Sequence, residues 1–413
     1  MKNLVILTYC FPYLGGEQFI ESEERFWAET GFDRVYIIPE IKTEEIRHYP
    51  EQVQLIQRPP IPSSAKQYML FFVFFYALFW RELAYLIKNK KFNRENMTNM
   101  VKAVIYTTLR IKQLKKTFKQ IDGELFVYTY WNDIDFYASC ELKQQGIVHQ
   151  VISRTHGFDC YEERRPQCYM PLKRQYHAYA NQIFVLSESA RQYFHERYRY
   201  SIDKLAISRL GVQIPEQQKL YQRDDNVIRV LSISSCIFGK RIDRIVDALH
   251  RYSLKHQKNI AWTHVGSGVL LDELKARSKK YMLENPYFKA DFLGLLPNAE
   301  VKQHMAEHDY DLFINSSLSE GVPVSIMEAM SFGIPAIAPA VGGIPDLVKT
   351  NETGFLLSAS PNIDDFVSAI DVVYNAPNYE QYRSNSYDLV YQQYNCVHNY
   401  RGFIKQLNEI ADE

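Results

Sequence analysis

At 413 residues the chain exceeds the size at which a single hydrophobic core usually stops growing, so two domains are expected. With 46% hydrophobic and 23% charged residues and a formal net charge of +0, the composition excludes a largely disordered chain and an obligate nucleic-acid binder. A charged partner must then be met by a local arrangement of side chains.

Met1 and Lys2 lead straight into Leu4-Val5-Ile6-Leu7, an apolar run too short for a signal peptide and predicted as a buried first strand. Apolar runs at 35–38, 125–128, 150–153 and 183–186 follow, alternating with helical patterns, which predicts a parallel, doubly wound sheet. The rhythm restarts after Gly211-Val212 and a polar stretch, with runs at 228–233, 260–265, 312–314 and 335–338. The expected architecture is α/β, with two Rossmann-like domains facing across a cleft. They take residues 1–212 and 228–393, joined by a linker over 213–227, and a C-terminal helix near 394–413 is expected to pack back on the first domain. Six cysteines, Cys10, Cys140, Cys160, Cys168, Cys236 and Cys396, form no C-x-x-C pair. They suit neither a disulfide framework nor a structural zinc site and read as reduced thiols of a cytoplasmic protein.

One segment breaks the alternation. Tyr68 to Trp80 is apolar on every face, yet well short of the roughly 20 residues that a membrane span needs. A basic stretch follows it, with only Glu82 and Glu95 opposing the lysines and arginines before Ile121. Two readings stay open: contact of residues 68–119 with an anionic membrane surface, or a buried helix on the first sheet followed by a solvated charged face.

Ligands in open α/β sheets sit beyond the carboxyl ends of the strands, so the loops there are the candidates. After the first strand, Gly15-Gly16-Glu17 reads as a phosphate-cradling loop without the full G-x-G-x-x-G spacing, or as a plain turn. Arg154-Thr-His156-Gly-Phe-Asp159 sets an imidazole and a carboxylate at another strand end, where a lone histidine is often structural. Lys240 and Arg241 follow the first strand of the second half, as anion holders or as surface charges on a turn. In Ser319-Glu320-Gly321-Val322-Pro323-Val324-Ser325-Ile326-Met327-Glu328, a strand leads into a glycine turn, and Pro323 suits the first position of a helix whose free N–H groups favour a phosphate. Ser325 and Glu328 share a polar stripe of that helix, so Glu328 is either solvated or satisfied by ligand hydroxyls; spacing alone favours solvation. Gly342-Gly343 permit close backbone approach to a ligand.

Together these loops resemble the retaining, nucleotide-sugar-dependent glycosyltransferases of family 4, which have the GT-B fold. The resemblance rests on the two glutamates Glu320 and Glu328 separated by seven residues, on Gly342-Gly343-Ile344-Pro345-Asp346, Val265-Gly266-Ser267-Gly268, Phe292-Leu293-Gly294 and Lys240. It is looser over the first half, at Gly15-Gly16-Glu17, His156 and Gly211-Val212.

The resemblance implies that Glu320 contacts donor-sugar hydroxyls, that Glu328 contacts the ribose, and that backbone N–H groups around Val322 and Val324 meet the diphosphate, with Gly321 and Pro323 in the same donor-binding loop. Lys240 would neutralise the leaving diphosphate, Gly15, Gly16 and Gly266 would line the donor, the backbone near Leu296 would meet the base, and His156 would sit by the reacting sugar. The family uses no metal, so no cofactor is expected. The expected partners are a nucleotide-diphosphate sugar and a glycan or lipid-linked acceptor, with no nucleic acid, in a bacterial-type surface polysaccharide pathway at the inner face of the membrane. Ser235 stands where the family usually has an arginine, which leaves Arg241 as the substitute cation. A nucleotide-sugar epimerase on the same plan and a non-catalytic sugar-binding subunit are the rival readings.

Overall fold

A computed structural model describes residues 1–14, 16–215 and 220–412. The chain forms two units, Met1–Arg209 with the chain from Tyr400 onward, and Leu210–Asn399.

In the first unit seven parallel strands run in the order β3-β2-β1-β4-β5-β6-β7. They are β1 (Lys2–Thr8), β2 (Arg34–Pro39), β3 (Val53–Leu55), β4 (Glu124–Thr129), β5 (Gln150–Arg154), β6 (Gln182–Val185) and β7 (Leu205–Ile207). Central strands covered on both faces read as near-continuous apolar runs, which is why Leu4 to Leu7 and Leu125 to Tyr128 are buried throughout. The helix Cys396–Asp412 brings Phe403 onto this sheet, 5.1 Å from the Tyr128 ring and 4.9 Å from the Phe184 ring. Beside it the buried Arg154 guanidinium stacks over Phe403 at 4.2 Å and pairs with the buried Glu23 carboxylate.

In the second unit six parallel strands run β10-β9-β8-β11-β12-β13. They are β8 (Val227–Ile233), β9 (Asn259–Val265), β10 (Phe288–Gly294), β11 (Leu312–Ile314), β12 (Ala336–Pro339) and β13 (Gly354–Leu357). The strand order reverses between β8 and β11 here, and between β1 and β4 in the first unit; such reversals are where doubly wound sheets open a crevice for ligands.

Three features depart from the sequence reading. The second unit takes in the chain from Leu210, ahead of the linker expected at 213, because Val212 N–H donates to Tyr394 O (2.8 Å) and Cys396 N–H donates to Val212 O (3.0 Å). Strands β3, β7, β10 and β13 were not anticipated: two are three-residue edges, and β10 alternates polar and apolar residues along a half-exposed edge. The apolar run at 68–80 is no continuous helix. The helix Ser63–Phe72 and a 3-10 turn Val73–Phe75 meet the helix Ala77–Lys88 at a bend of 70°. Within that run only Met69, Val73, Leu78 and Phe79 are buried. The basic stretch is not one solvated face either, since Arg110 is buried between Asp135, at 2.5 Å, and Glu40. Among the described residues no single helix is long and apolar enough to cross a membrane.

Candidate active site

At the β8/β11 reversal the loop after β11 is stitched to the loop after β8. Leu318 N–H donates to Gly239 O at 2.9 Å, and Ser316 Oγ donates to Lys240 O and Arg241 O at 2.9 and 2.8 Å. These bonds bring together Lys240 and Glu320, 80 residues apart: Lys240 Nζ lies 2.5 Å from Glu320 Oε1. The same oxygen accepts Ser317 Oγ at 2.6 Å and Asn315 Nδ2 at 3.4 Å. Glu320 is buried, whereas the Lys240 side chain keeps 25% of its surface exposed, so the ammonium is held by the carboxylate yet open to a ligand. Ser317 and Asn315 carried no motif of their own, and sequence reasoning missed both; their one signal was a position between a buried strand and a glycine turn.

The glycines pack the strand-end loops closely against one another. Gly342 has φ +56°, and a Cβ there would fall 1.9 Å from the Glu320 carbonyl oxygen; Gly343 N–H donates to Gly321 O at 2.6 Å. The close approach is therefore between two loops, and it fixes the backbone at Glu320-Gly321. Gly266 is similar: at φ +150° its missing side chain admits the Ser234 carbonyl, which a Cβ would meet at 1.9 Å. Both packings set the shape of the strand-end loops from behind.

Val322 is buried, and Pro323 caps the helix Val324–Ser331, one position earlier than predicted. The first backbone bond of this helix is Ile326 N–H to Pro323 O (3.2 Å), so the amides before it lie outside the helical ladder, as at any helix start. Glu328 is not on a solvated stripe. It is buried, its Oε1 accepts Asn298 Nδ2 at 2.7 Å, and burial pushes its pKa up against the opposing effects of Asn298 and Lys302. Asn298, which sequence reasoning did not single out, opens the helix Asn298–Glu307 two residues after Leu296 and so brings the loop after β10 beside Glu328. Arg241, the cation named as substitute for the missing arginine, is paired with an acidic neighbour and keeps 22% of its side chain exposed. Its Nη2 lies 2.8 Å from Asp243 Oδ2, at the start of the helix Ile242–His256, and Ser235 is exposed.

At the first unit's own reversal, between β1 and β4, the glycine loop already holds an anion. Gly15 lies outside the described residues, and the Gly16 carbonyl accepts Arg47 Nη1 at 2.8 Å. Buried Glu17 turns its carboxylate onto three successive backbone amides, Tyr9, Cys10 and Phe11, at 3.0, 2.8 and 2.7 Å, and accepts Trp131 Nε1 at 2.5 Å. The amides of Tyr9, Cys10 and Phe11, just past β1, are thus satisfied from within the chain.

His156 is buried among Phe19, Tyr130 and Trp131, with ring centroids 5.4, 5.1 and 4.7 Å away. Neither ring nitrogen has a hydrogen-bond partner, and burial pushes its pKa down to about 4, so the imidazole is neutral at pH 7. Asp159 does not pair with the ring. It accepts the His156 backbone N–H at 2.5 Å and Asn132 N–H at 2.6 Å, which fixes the position of the loop.

Two doubly wound parallel sheets, the second with a lysine–glutamate pair at its strand-order reversal, define the fold class as GT-B. Residues 213–388 match the family described as glycosyl transferases group 1, and the second unit is a domain of that family. The chain is 31% identical over 163 residues to the amylovoran biosynthesis glycosyltransferase AmsK of Erwinia amylovora, a match covering 37% of this chain and 38% of that protein. It thus spans less than half the length of that relative. Among solved structures, it resembles the lipopolysaccharide outer core galactosyltransferase WaaB in its apo form, with TM-score 0.69, 15% identity, and 97% and 98% of the two chains covered. It also resembles Anabaena Alr3699/HepE in complex with UDP, with TM-score 0.67, 15% identity, and 99% and 100% covered.

Proposed function

We propose that the chain is a retaining glycosyltransferase of family 4. It moves a sugar from a nucleoside-diphosphate sugar to a glycan or lipid-linked acceptor of a surface polysaccharide, at the inner face of a membrane and without a resident metal. The observation that carries this reading is the Lys240–Glu320 contact inside a glycosyl transferases group 1 domain, at the sheet's ligand-binding position. AmsK, by its name a glycosyltransferase of amylovoran biosynthesis, and the UDP complex of HepE support the acceptor and donor classes.

In this mechanism Lys240 meets the charge that grows on the leaving diphosphate, where a fixed cation contributes most. Glu320 orients the donor sugar, and Glu328, kept in place by Asn298, takes ribose hydroxyls. The departing phosphate oxygen accepts the proton of the acceptor hydroxyl on the same face of the sugar, so no enzyme carboxylate serves as nucleophile. Neutral His156 supplies a hydrogen-bonding edge to the acceptor side of the reaction.

The test incubates the protein with a panel of nucleotide sugars, with and without membrane extract, and follows nucleotide release and anomeric configuration. Acceptor-dependent release with retention is expected. Acceptor-independent isomerisation, or binding without turnover, would replace this reading with an epimerase or a sugar-binding subunit.

A further inference from the structure

The bent segment after Pro62 exposes large apolar side chains in a way a folded protein normally avoids. Phe71 is 78% exposed, Phe75 82%, Tyr68 65% and Trp80 56%, with Leu70 and Phe74 more than half exposed as well. Such a patch marks an interaction surface. It is built rigidly: Met69 and Val73 on one arm and Leu78 and Phe79 on the other are rooted in the core of the first unit, and Trp80 Nε1 donates to Phe74 O at 2.8 Å across the bend.

Charge decides what covers it. Lys66, Arg81, Lys88, Lys90, Lys112 and Lys116 are all exposed around these helices. Of the two acidic residues in the segment, Glu82 is withdrawn into the core, accepting Tyr169 Oη at 2.7 Å and Gln175 Nε2 at 2.6 Å. A groove of about 400 Å3 beside the helix Ser63–Phe72 is lined by Pro59, Ile61, Tyr68 and Leu109 together with Lys112 and Lys116. Aromatic side chains at the tip and ammonium groups set back from it are the pattern of a surface in the headgroup layer of an anionic bilayer.

We propose that the elbow formed by the helices Ser63–Phe72 and Ala77–Lys88 is a bilayer anchor: Phe71, Phe74 and Phe75 enter the acyl boundary and the surrounding lysines meet lipid phosphates. This rests on the membrane part of the reading above and deepens it, because the attraction is apolar first and electrostatic second. Each helix, of 10 and 12 residues, is too short to span a hydrocarbon core of about 30 Å, so insertion is shallow.

The test uses the full chain in flotation with phosphatidylglycerol-containing vesicles at low and high salt. Binding is expected to weaken at high salt yet persist. Phe71→Ser with Phe75→Ser should lower it about tenfold or more at both salts, with circular dichroism and nucleotide release on detergent-solubilised membrane extract unchanged. Trp80 fluorescence should be quenched by brominated lipids, and Trp80→Phe should remove most of that response, since Trp27 and Trp262 are buried and Trp131 is half-buried against Glu17 and His156. Absence of binding, binding indifferent to the two serines, binding without quenching, or a dimer in lipid-free solution that the serines dissolve would each overturn the proposal. Intact nucleotide release with no vesicle binding sinks the anchor alone, whereas vesicle binding without nucleotide release sinks the transferase reading alone.

Discussion

Lys240 and Glu320 meet through one carboxylate oxygen, and that oxygen also receives Ser317 Oγ. In the resting protein the ammonium's charge is therefore partly spent on Glu320, and a diphosphate arriving at the rim has to compete for it. Under the proposed mechanism, removal of either partner should lower transfer by orders of magnitude, because Lys240 would meet the growing charge and Glu320 would orient the donor sugar. Lys240→Ala also leaves a buried carboxylate with neutral donors only, costing about 1 kcal/mol of stability because the lysine is partly solvated. Glu320→Gln keeps the shape and should fold normally. Nucleotide release together with thermal denaturation checks this; near-normal turnover in Lys240→Ala or Glu320→Ala would remove the pair from the mechanism.

The periodicity of apolar runs located the central strands because parallel strands buried on both faces have no polar positions to blur the signal. It missed the edges, because the three-residue strands β3 and β7 are too short to form a run and half-exposed β10 carries polar residues. At the site, Glu320 and Lys240 were legible from motif and strand end, but their contact was not, since it depends on Ser316 and Leu318 binding the opposite loop. Glu328 was misread from spacing because helical periodicity cannot show that Asn298, from another strand's loop, covers the polar stripe. In the first unit, the return of the Glu17 carboxylate to the amides of Tyr9, Cys10 and Phe11 accompanies a left-handed turn at Glu17 itself (φ 57°), which no residue-type preference announced.

The Asn298–Glu328 bond makes a separate prediction. With Asn298→Ala the buried carboxyl loses its hydrogen-bond donor, and its raised pKa should rise further. A ribose ligand then meets a misplaced or protonated acid. KM for the nucleotide sugar should increase about tenfold, corresponding to one charge-assisted hydrogen bond, with kcat little changed. Steady-state kinetics distinguish this from a role in the chemical step, which would lower kcat instead.

Gly342→Ala tests whether loop packing sets the geometry at Glu320. The added Cβ would lie 1.9 Å from the Glu320 carbonyl oxygen, on a backbone at φ +56° that also disfavours a side chain. One loop must move, and movement of about 1 Å at a catalytic group costs roughly a hundredfold in rate. The expected result is a large drop in kcat/KM with a modest fall in Tm. Unchanged kinetics would mean that the carbonyl's position is irrelevant to the carboxylate's.

In the first unit, Asp133 lines a pocket of about 380 Å3 with Asn132, Tyr137 and Lys173, and burial followed by the nearby carboxylates Asp135 and Asp159 pushes its pKa up to about 7. An unfolded aspartate titrates near pH 4. Between these values the native state keeps a proton that the unfolded chain has released, so this group's contribution is fully present below about pH 4 and is lost as pH rises through about 7. Buried His156, pushed down to about 4, acts with the opposite sign, since its neutral form loses stability relative to the unfolded chain as pH falls below about 6.5. The wild-type curve is then a sum of opposed slopes, and a single variant is needed to isolate one. Asp133→Asn cannot titrate and still suits the N-cap of the helix Ile134–Gln144. Its stability relative to wild type should rise from about pH 5 to about pH 8, by at most about 3 kcal/mol. Urea denaturation at both pH values measures the difference, and a pH-independent difference would mean that Asp133 is ionised in the native state across the whole range.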